Sequence, residues 1–322
     1  MQWLTFKAKL LSTGAVKISG EPVEEYMGHS TAGPSSGGEG SIFFAADSHR
    51  VRVGVHPMSP IEIIHHGDGR ASCRIEGEEV SGFIQHVGLH CPRQAYMTVS
   101  ERCIHGCRYC RVPLQAGQIK SPEKCRSLVE SVRHCIDAIS LTSGVADSAE
   151  AEERRVLAVV RVLRRFDLPI GVSIYPTSAS PRLFANEGVV EVKWNIETAT
   201  PALFGTMCPG LDWDRIREAL RDSVDLFGTN RVFSNVIVGL GETDDEIEGC
   251  LATLTSMGVI PVLRPLTPCG GLSALRRPSS ERLVRLFHLH REALRRAGLD
   301  TRIAQTMCTA CTGCDLVPGR DA

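Results

Sequence analysis

The chain has 322 residues, 43% of them hydrophobic, enough apolar material for a large core in one or two domains. Its 36 basic and 37 acidic residues leave a formal net charge of −1, so no chain-wide field favours nucleic acid. No apolar run approaches bilayer length, and the opening Met-Gln-Trp-Leu lacks the charged and apolar regions of a signal peptide. The expectation is a cytoplasmic protein with no nucleic-acid and no membrane partner. Thirteen cysteines is a high count where thiols are kept reduced. An odd number gathered in two groups argues for iron or another metal over disulfides.

Residues 1–93 are rich in Gly and Ser and carry short β-like runs at 41–44 and 51–55. The stretch 32–40 reads as a loop from its Gly, Pro and Ser content. A phosphate cradle would need a helix start behind it, and none follows. This region is predicted to be a small, mostly β accessory domain without a catalytic motif.

A strand at 95–99 runs into Cys103-Ile-His-Gly-Cys107-Arg-Tyr-Cys110. Three thiolates this close can hold three corners of a four-iron, four-sulfur cluster and leave one iron open to a small molecule. A zinc site would need a fourth ligand, and His105 inside the loop is poorly placed to close the chelate. Redox thiols are the remaining reading.

Behind that loop the texture alternates. Strands are predicted at 138–142, 170–175, 189–196, 232–238 and 259–266. Helices are predicted at 150–166, just after Ser180, and at 212–227, 244–257 and 279–297. Alternation of this kind implies parallel strands with right-handed helical crossovers. The predicted class is α/β: a partial (β/α)6 TIM-type barrel over 94–300, with a cysteine-rich C-terminal extension over 301–322. In such barrels the site is built at the C-terminal strand ends.

The C-x3-C-x2-C spacing with an aromatic before the last Cys resembles the radical S-adenosylmethionine (SAM) superfamily. The resemblance implies a SAM-binding 4Fe-4S cluster on Cys103, Cys107 and Cys110, and reductive cleavage of SAM to a 5′-deoxyadenosyl radical that attacks a C–H bond. It also implies SAM contacts at successive strand ends. Thr142-Ser143-Gly144 stands where the family has Gly-Gly-Glu at the methionyl amino group. Asn195 and Glu197 match an Asn-Leu-Asp-Thr motif of biotin synthase-like enzymes, and two-residue spacing puts them on one strand face. Arg215 would pair with the methionyl carboxylate, the alternative being a place on a solvated helix face. Val238 and Gly239 would pack on adenine, as would Tyr109.

The tail carries Cys308, Cys311 and Cys314 at C-x2-C-x2-C spacing, close to the ferredoxin run but one Cys short. A second 4Fe-4S cluster is expected there, with a fourth ligand from Cys269, Cys73, Cys91, Cys208 or a labile group; a zinc knot or a disordered end are the other readings. Cys125, Cys135 and Cys250 fall in helical segments and read as small core residues.

The whole pattern resembles the split, two-subunit lipoyl synthases. That implies an octanoylated carrier protein or other acyl substrate, sulfur insertion from an auxiliary cluster, an electron donor such as ferredoxin or flavodoxin, and a second radical SAM subunit. A radical SAM methylase, a cofactor-maturation enzyme, or a non-catalytic Fe–S scaffold are the alternatives.

Overall fold

The computed structural model describes residues 2–28 and 40–322; the glycine-rich stretch 32–39 lies outside the described residues. The chain opens with helix α1 (Trp3–Thr13), whose Phe6, Leu10 and Leu11 are buried. Its strands are β1 (Ala15–Gly20), β2 (Ser41–Ala46), β3 (His49–Val55), β4 (Glu62–His65), β5 (Arg70–Ile75) and β6 (Glu78–Gln85). They close into a barrel in the order β1-β3-β2-β6-β5-β4, with β1 parallel to both β3 and β4 and the other pairs antiparallel. Strand alternation sends Ile42 and Phe44 into the barrel core. Phe43 points outward instead, against Cys91 and Cys311.

The second sheet contains β7 (Arg93–Thr98), β8 (Ile136–Thr142), β9 (Ile170–Ser173), β10 (Glu191–Lys193), β11 (Val232–Val238) and β12 (Ile260–Pro265). They run parallel in sequence order, a six-stranded partial barrel as expected. Helices α2 (Pro122–Val132), α3 (Ala149–Leu163), α4 (Ser180–Asn186), α5 (Pro201–Met207), α6 (Trp213–Phe227), α7 (Asp244–Ser256) and α8 (Ser280–Ala297) fill the connections. Met97, Leu141, Val172, Val192, Trp194 and Val236 face the helices in one core. Trp194 is fully buried there, its indole N–H on Ser223 Oγ at 2.8 Å, which satisfies its one polar group.

The other sheet face is the barrel interior, and the tail occupies its lower half. Short helix α9 (Met307–Cys311) packs on β7. Thr306 donates through N and Oγ1 to Glu191 Oε2 at 2.8 and 2.6 Å, Met307 N donates to Ser140 Oγ at 2.8 Å, and Gln94 Nε2 donates to the Met307 carbonyl at 3.1 Å. Gly171 makes room: a Cβ there would lie 2.0 Å from Thr306 Oγ1. The chain end then ties back to the small barrel. Arg52 N donates to the Gly313 carbonyl at 2.7 Å, and fully buried Lys7 pairs with Asp321 at 2.8 Å.

Candidate active site

Alternation along the strands decides which side chains reach the barrel interior above the tail. Thr98, Thr142, Ser173, Asn195, Asn235, Ile237 and Arg264 line a cavity of about 320 Å³ at the C-terminal strand ends. Cys103, Cys107, Cys110 and Tyr109 line it from the loop behind β7, and Ser143, Gly144 and Glu197 line it as well.

That loop is held by backbone bonds at both flanks. Ile104 N donates to the Val145 carbonyl at 2.8 Å, and Arg108 N to the Met207 carbonyl at 2.9 Å. Gly144 N donates to the Ser100 carbonyl at 2.9 Å, and a Cβ on Gly144 would fall 2.2 Å from the Arg102 carbonyl. Only a residue without a side chain lets the β8 turn approach this closely. Buried Glu152 fastens the turn from below: its carboxylate accepts from Ser100 Oγ at 2.7 Å, Ser143 Oγ at 2.6 Å and Arg155 Nη1 at 2.7 Å. Sequence reasoning missed Glu152, although it stands at the first turn of a predicted helix, where its side chain can reach the preceding loop.

The thiols sit in unequal surroundings. A hydrogen bond from Cys208 holds the Cys107 thiol below its ordinary value, against desolvation and the nearby Glu197. Burial pushes Cys110 up to about 12. The Tyr109 hydroxyl lies 3.6 Å from Cys208 Sγ. Glu197 adopts a left-handed φ of 59°, the kind of local strain that collects at functional sites. Desolvation raises its carboxyl to about 7, opposed by Lys193, Asn195 and Arg264.

Residues 97–254 match the radical SAM superfamily. The chain carries a radical SAM domain. It is 28% identical over 178 residues to a lipoyl synthase of Acidothermus cellulolyticus, covering 51% of this chain and 52% of that one. With a lipoyl synthase of Picrophilus torridus it shares 28% identity over 185 residues, covering 53% and 64%. The chain thus spans about half to two thirds of the length of such relatives. Among solved structures, methylornithine synthase PylB aligns at TM-score 0.51 and 14% identity, covering 65% of this chain and 70% of that one. The hydrogenase maturase HydG from Carboxydothermus hydrogenoformans aligns at 0.53 and 16%, covering 63% and 51%. These two likenesses concern the fold.

The radical SAM domain implies SAM and one 4Fe-4S cluster, and the chain's residues fit them: three half-buried thiols face an adjoining cavity with polar strand ends. Three expected contacts fall elsewhere. Val238 and Gly239 are outside the cavity lining, because alternation turns Val238 toward the helices and leaves Ile237 facing inward. The Gly239 amide donates to Glu242 Oε1 at 2.7 Å, closing its own turn. Arg215 is also outside the lining; its guanidinium lies 5.8 Å from the Tyr175 ring centroid. Ser173, Asn235, Ile237 and Arg264 are lining residues that the sequence reading missed, and the inward parity of β9, β11 and β12 was the available signal.

Below the cavity, Cys311 of the tail meets Cys91. A hydrogen bond from Cys91 is the main reason that Cys311 is lowered to about 7, while Cys91 itself is held high. Burial raises Cys314 to about 11. Lys193 Nζ lies 3.3 Å from Cys308 Sγ, and Arg52 and Arg264 add positive charge beside Cys314. Buried thiolates need such compensation, so the donor set fits an anionic cluster. The other suggested fourth ligands lie apart: Cys73 is in the small-barrel core, Cys208 adjoins Cys107, and Cys269 Sγ donates to the Tyr109 carbonyl at 3.3 Å. Cys125 and Cys250 are buried in helices as expected, whereas Cys135 is exposed. Among the described residues no three His, Cys, Asp or Glu side chains converge on one ion; thiolates at the corners of a cluster have no need to.

Proposed function

We propose that this radical SAM enzyme inserts sulfur into an octanoyl chain carried on a lysine of a carrier protein, in the manner that the name of its lipoyl synthase relatives implies. The observation that carries the reading is the second cysteine set, Cys91, Cys308, Cys311 and Cys314, inside the same barrel as the cavity. Arg264 belongs to both places. It lines the cavity and forms a bidentate pair with Asp315, the residue after Cys314.

When bound, SAM and its cluster would supply a 5′-deoxyadenosyl radical, and an auxiliary cluster would supply sulfur. Cys103, Cys107 and Cys110 would hold the first cluster. Asn195, Glu197, Thr142 and the Ser143-Gly144 turn would orient SAM, with Tyr109 beside its adenine. Cys91, Cys308, Cys311 and Cys314 would hold the second cluster. The tail closes the lower barrel and keeps water from the reacting chain. Ferredoxin or flavodoxin would deliver electrons, and a second radical SAM subunit would share the two insertions.

The test uses anaerobically reconstituted protein, with and without a second radical SAM subunit, SAM, reductant and an octanoyl-lysyl peptide. A peptide gaining one or two sulfur atoms supports the reading. SAM cleavage with the peptide mass unchanged in both mixtures defeats it. A methylated or rearranged product with no sulfur lost from the protein would point to the methylase or maturation class instead.

A further inference from the structure

The partial barrel ends at two edge strands, β7 and β12, and the loops that leave them meet over the cavity. Cys269 Sγ reaches the Tyr109 carbonyl, and Leu114 Cδ1 lies 3.9 Å from where a Cβ on Gly270 would stand. The two loops that form this seam carry several exposed apolar side chains. Ile104 is 60% exposed, Leu114 75%, Ile119 39% and Leu275 37%, half of the exposed large apolar side chains among the described residues. Exposed apolar groups gathered on two touching loops mark an interaction surface, whereas scattered ones need no explanation.

The charge around these side chains is one-sided. Residues 101–120 contain Arg102, Arg108, Arg111 and Lys120 against the single acid Glu101, which is paired with Lys120. Arg276 stands next to Leu275. Arg108, Arg111 and Arg276 have no carboxylate partner among the described residues, in a chain whose net charge is only −1. Arginine beside apolar groups is the composition of a protein interface, and unpaired guanidinium groups select carboxylates.

We propose that an acidic carrier domain docks on this seam through Ile104, Leu114, Leu275, Arg108 and Arg276, and delivers its acylated lysine into the cavity beneath. The docking surface is new; the acyl-lysine as cargo rests on the proposed function. Apolar contacts supply affinity, and the arginines steer encounter and fix orientation.

The probe is a fluorescently labelled, octanoylated carrier domain titrated with the reconstituted protein at low and physiological salt. Wild-type affinity should weaken as salt rises, since exposed charges are screened. Arg276→Glu and Leu114→Asp should each weaken binding on the order of tenfold while SAM binding and melting temperature hold. Phe83→Asp, an exposed site on the small barrel, should bind as wild type does. In turnover, Arg276→Glu should raise KM for the carrier substrate and leave the short octanoyl-lysyl peptide unaffected. Carrier binding indifferent to Arg276→Glu and Leu114→Asp overturns the proposal, as does weakening confined to ferredoxin or flavodoxin. The two readings fail separately. Salt-dependent, variant-sensitive carrier binding without sulfur insertion sinks the chemistry and supports docking, whereas a thiolated peptide with carrier binding unmoved does the reverse.

Discussion

Arg264 and Asp315 form a fork-to-fork ion pair, Nε to Oδ1 and Nη2 to Oδ2 both at 2.9 Å, across the boundary between the cavity and the tail cysteines. The Asp315 carboxylate is 1% exposed and the Arg264 side chain 23%. Such a pair ties the residue after Cys314 to the end of β12, whose Arg264 also lines the cavity.

Asp315→Asn should therefore be costly. Removing one partner leaves a guanidinium uncompensated in the barrel, a loss on the order of 3–5 kcal/mol for buried pairs, less here because Arg264 keeps some solvent contact. Thermal unfolding should reveal it, and the Asp315→Asn/Arg264→Gln double variant should regain part of the loss. Additive costs, with the double variant losing the sum of the Asp315→Asn and Arg264→Gln losses, would show that the pair carries no coupling.

The fourth tail ligand is open to a direct count. Cys91 is the cysteine that hydrogen-bonds to Cys311. After anaerobic reconstitution the wild-type chain should hold about eight irons, and Cys91→Ala should fall toward about four. Cys73→Ala, Cys208→Ala and Cys269→Ala should each keep the full count. A fall with Cys269→Ala and none with Cys91→Ala would assign the ligand differently.

Cys91 also shows what a sequence hides. The spacing of Cys308, Cys311 and Cys314 is a local signal, while a partner more than 200 positions away is set by how the tail threads the barrel. The six-strand alternation was legible because each strand is apolar and each connection long. In β11, Val-Phe-Ser-Asn-Val-Ile-Val, the two polar residues are adjacent and all seven are buried, so the inward parity of Asn235 and Ile237 did not stand out, and Val238 was misassigned. Helix α1 was lost in the β-like texture of the first 93 residues, although Trp3, Phe6 and Leu10 follow helical spacing. Asn195 and Glu197 stood out through the resemblance of their run to an Asn-Leu-Asp-Thr motif, and both line the cavity although they lie beyond the end of β10.

Glu152 tests whether the β8 turn is held by a carboxylate on the next helix. Glu152→Ala strands the Ser100 and Ser143 hydroxyls, while Arg155 keeps its pair with Asp147, at a cost of about 1–3 kcal/mol for unsatisfied buried groups. The Ser143-Gly144 turn should loosen with it. Isothermal titration with SAM should find affinity reduced several-fold in Glu152→Ala and partly recovered in Glu152→Gln, which keeps one acceptor oxygen. Unchanged SAM affinity in both would confine Glu152 to stability.

Glu197 gives the protein a pH signature. Its carboxyl is raised to about 7 in the fold, chiefly by desolvation, against an ordinary value of 4.5. Between those values the folded chain binds the proton and the unfolded chain does not, so the folded state gains stability from protonation. That contribution is fully present below the ordinary carboxylate range and is lost as pH rises through about 7. Glu197→Gln is neutral at every pH and lacks this slope. Melting temperatures of the cluster-free protein from pH 5 to pH 8, about the window just derived, should show the wild type losing stability relative to Glu197→Gln as pH increases. Parallel curves would mean that the Glu197 carboxyl titrates in its ordinary range, and that Lys193, Asn195 and Arg264 together offset its desolvation.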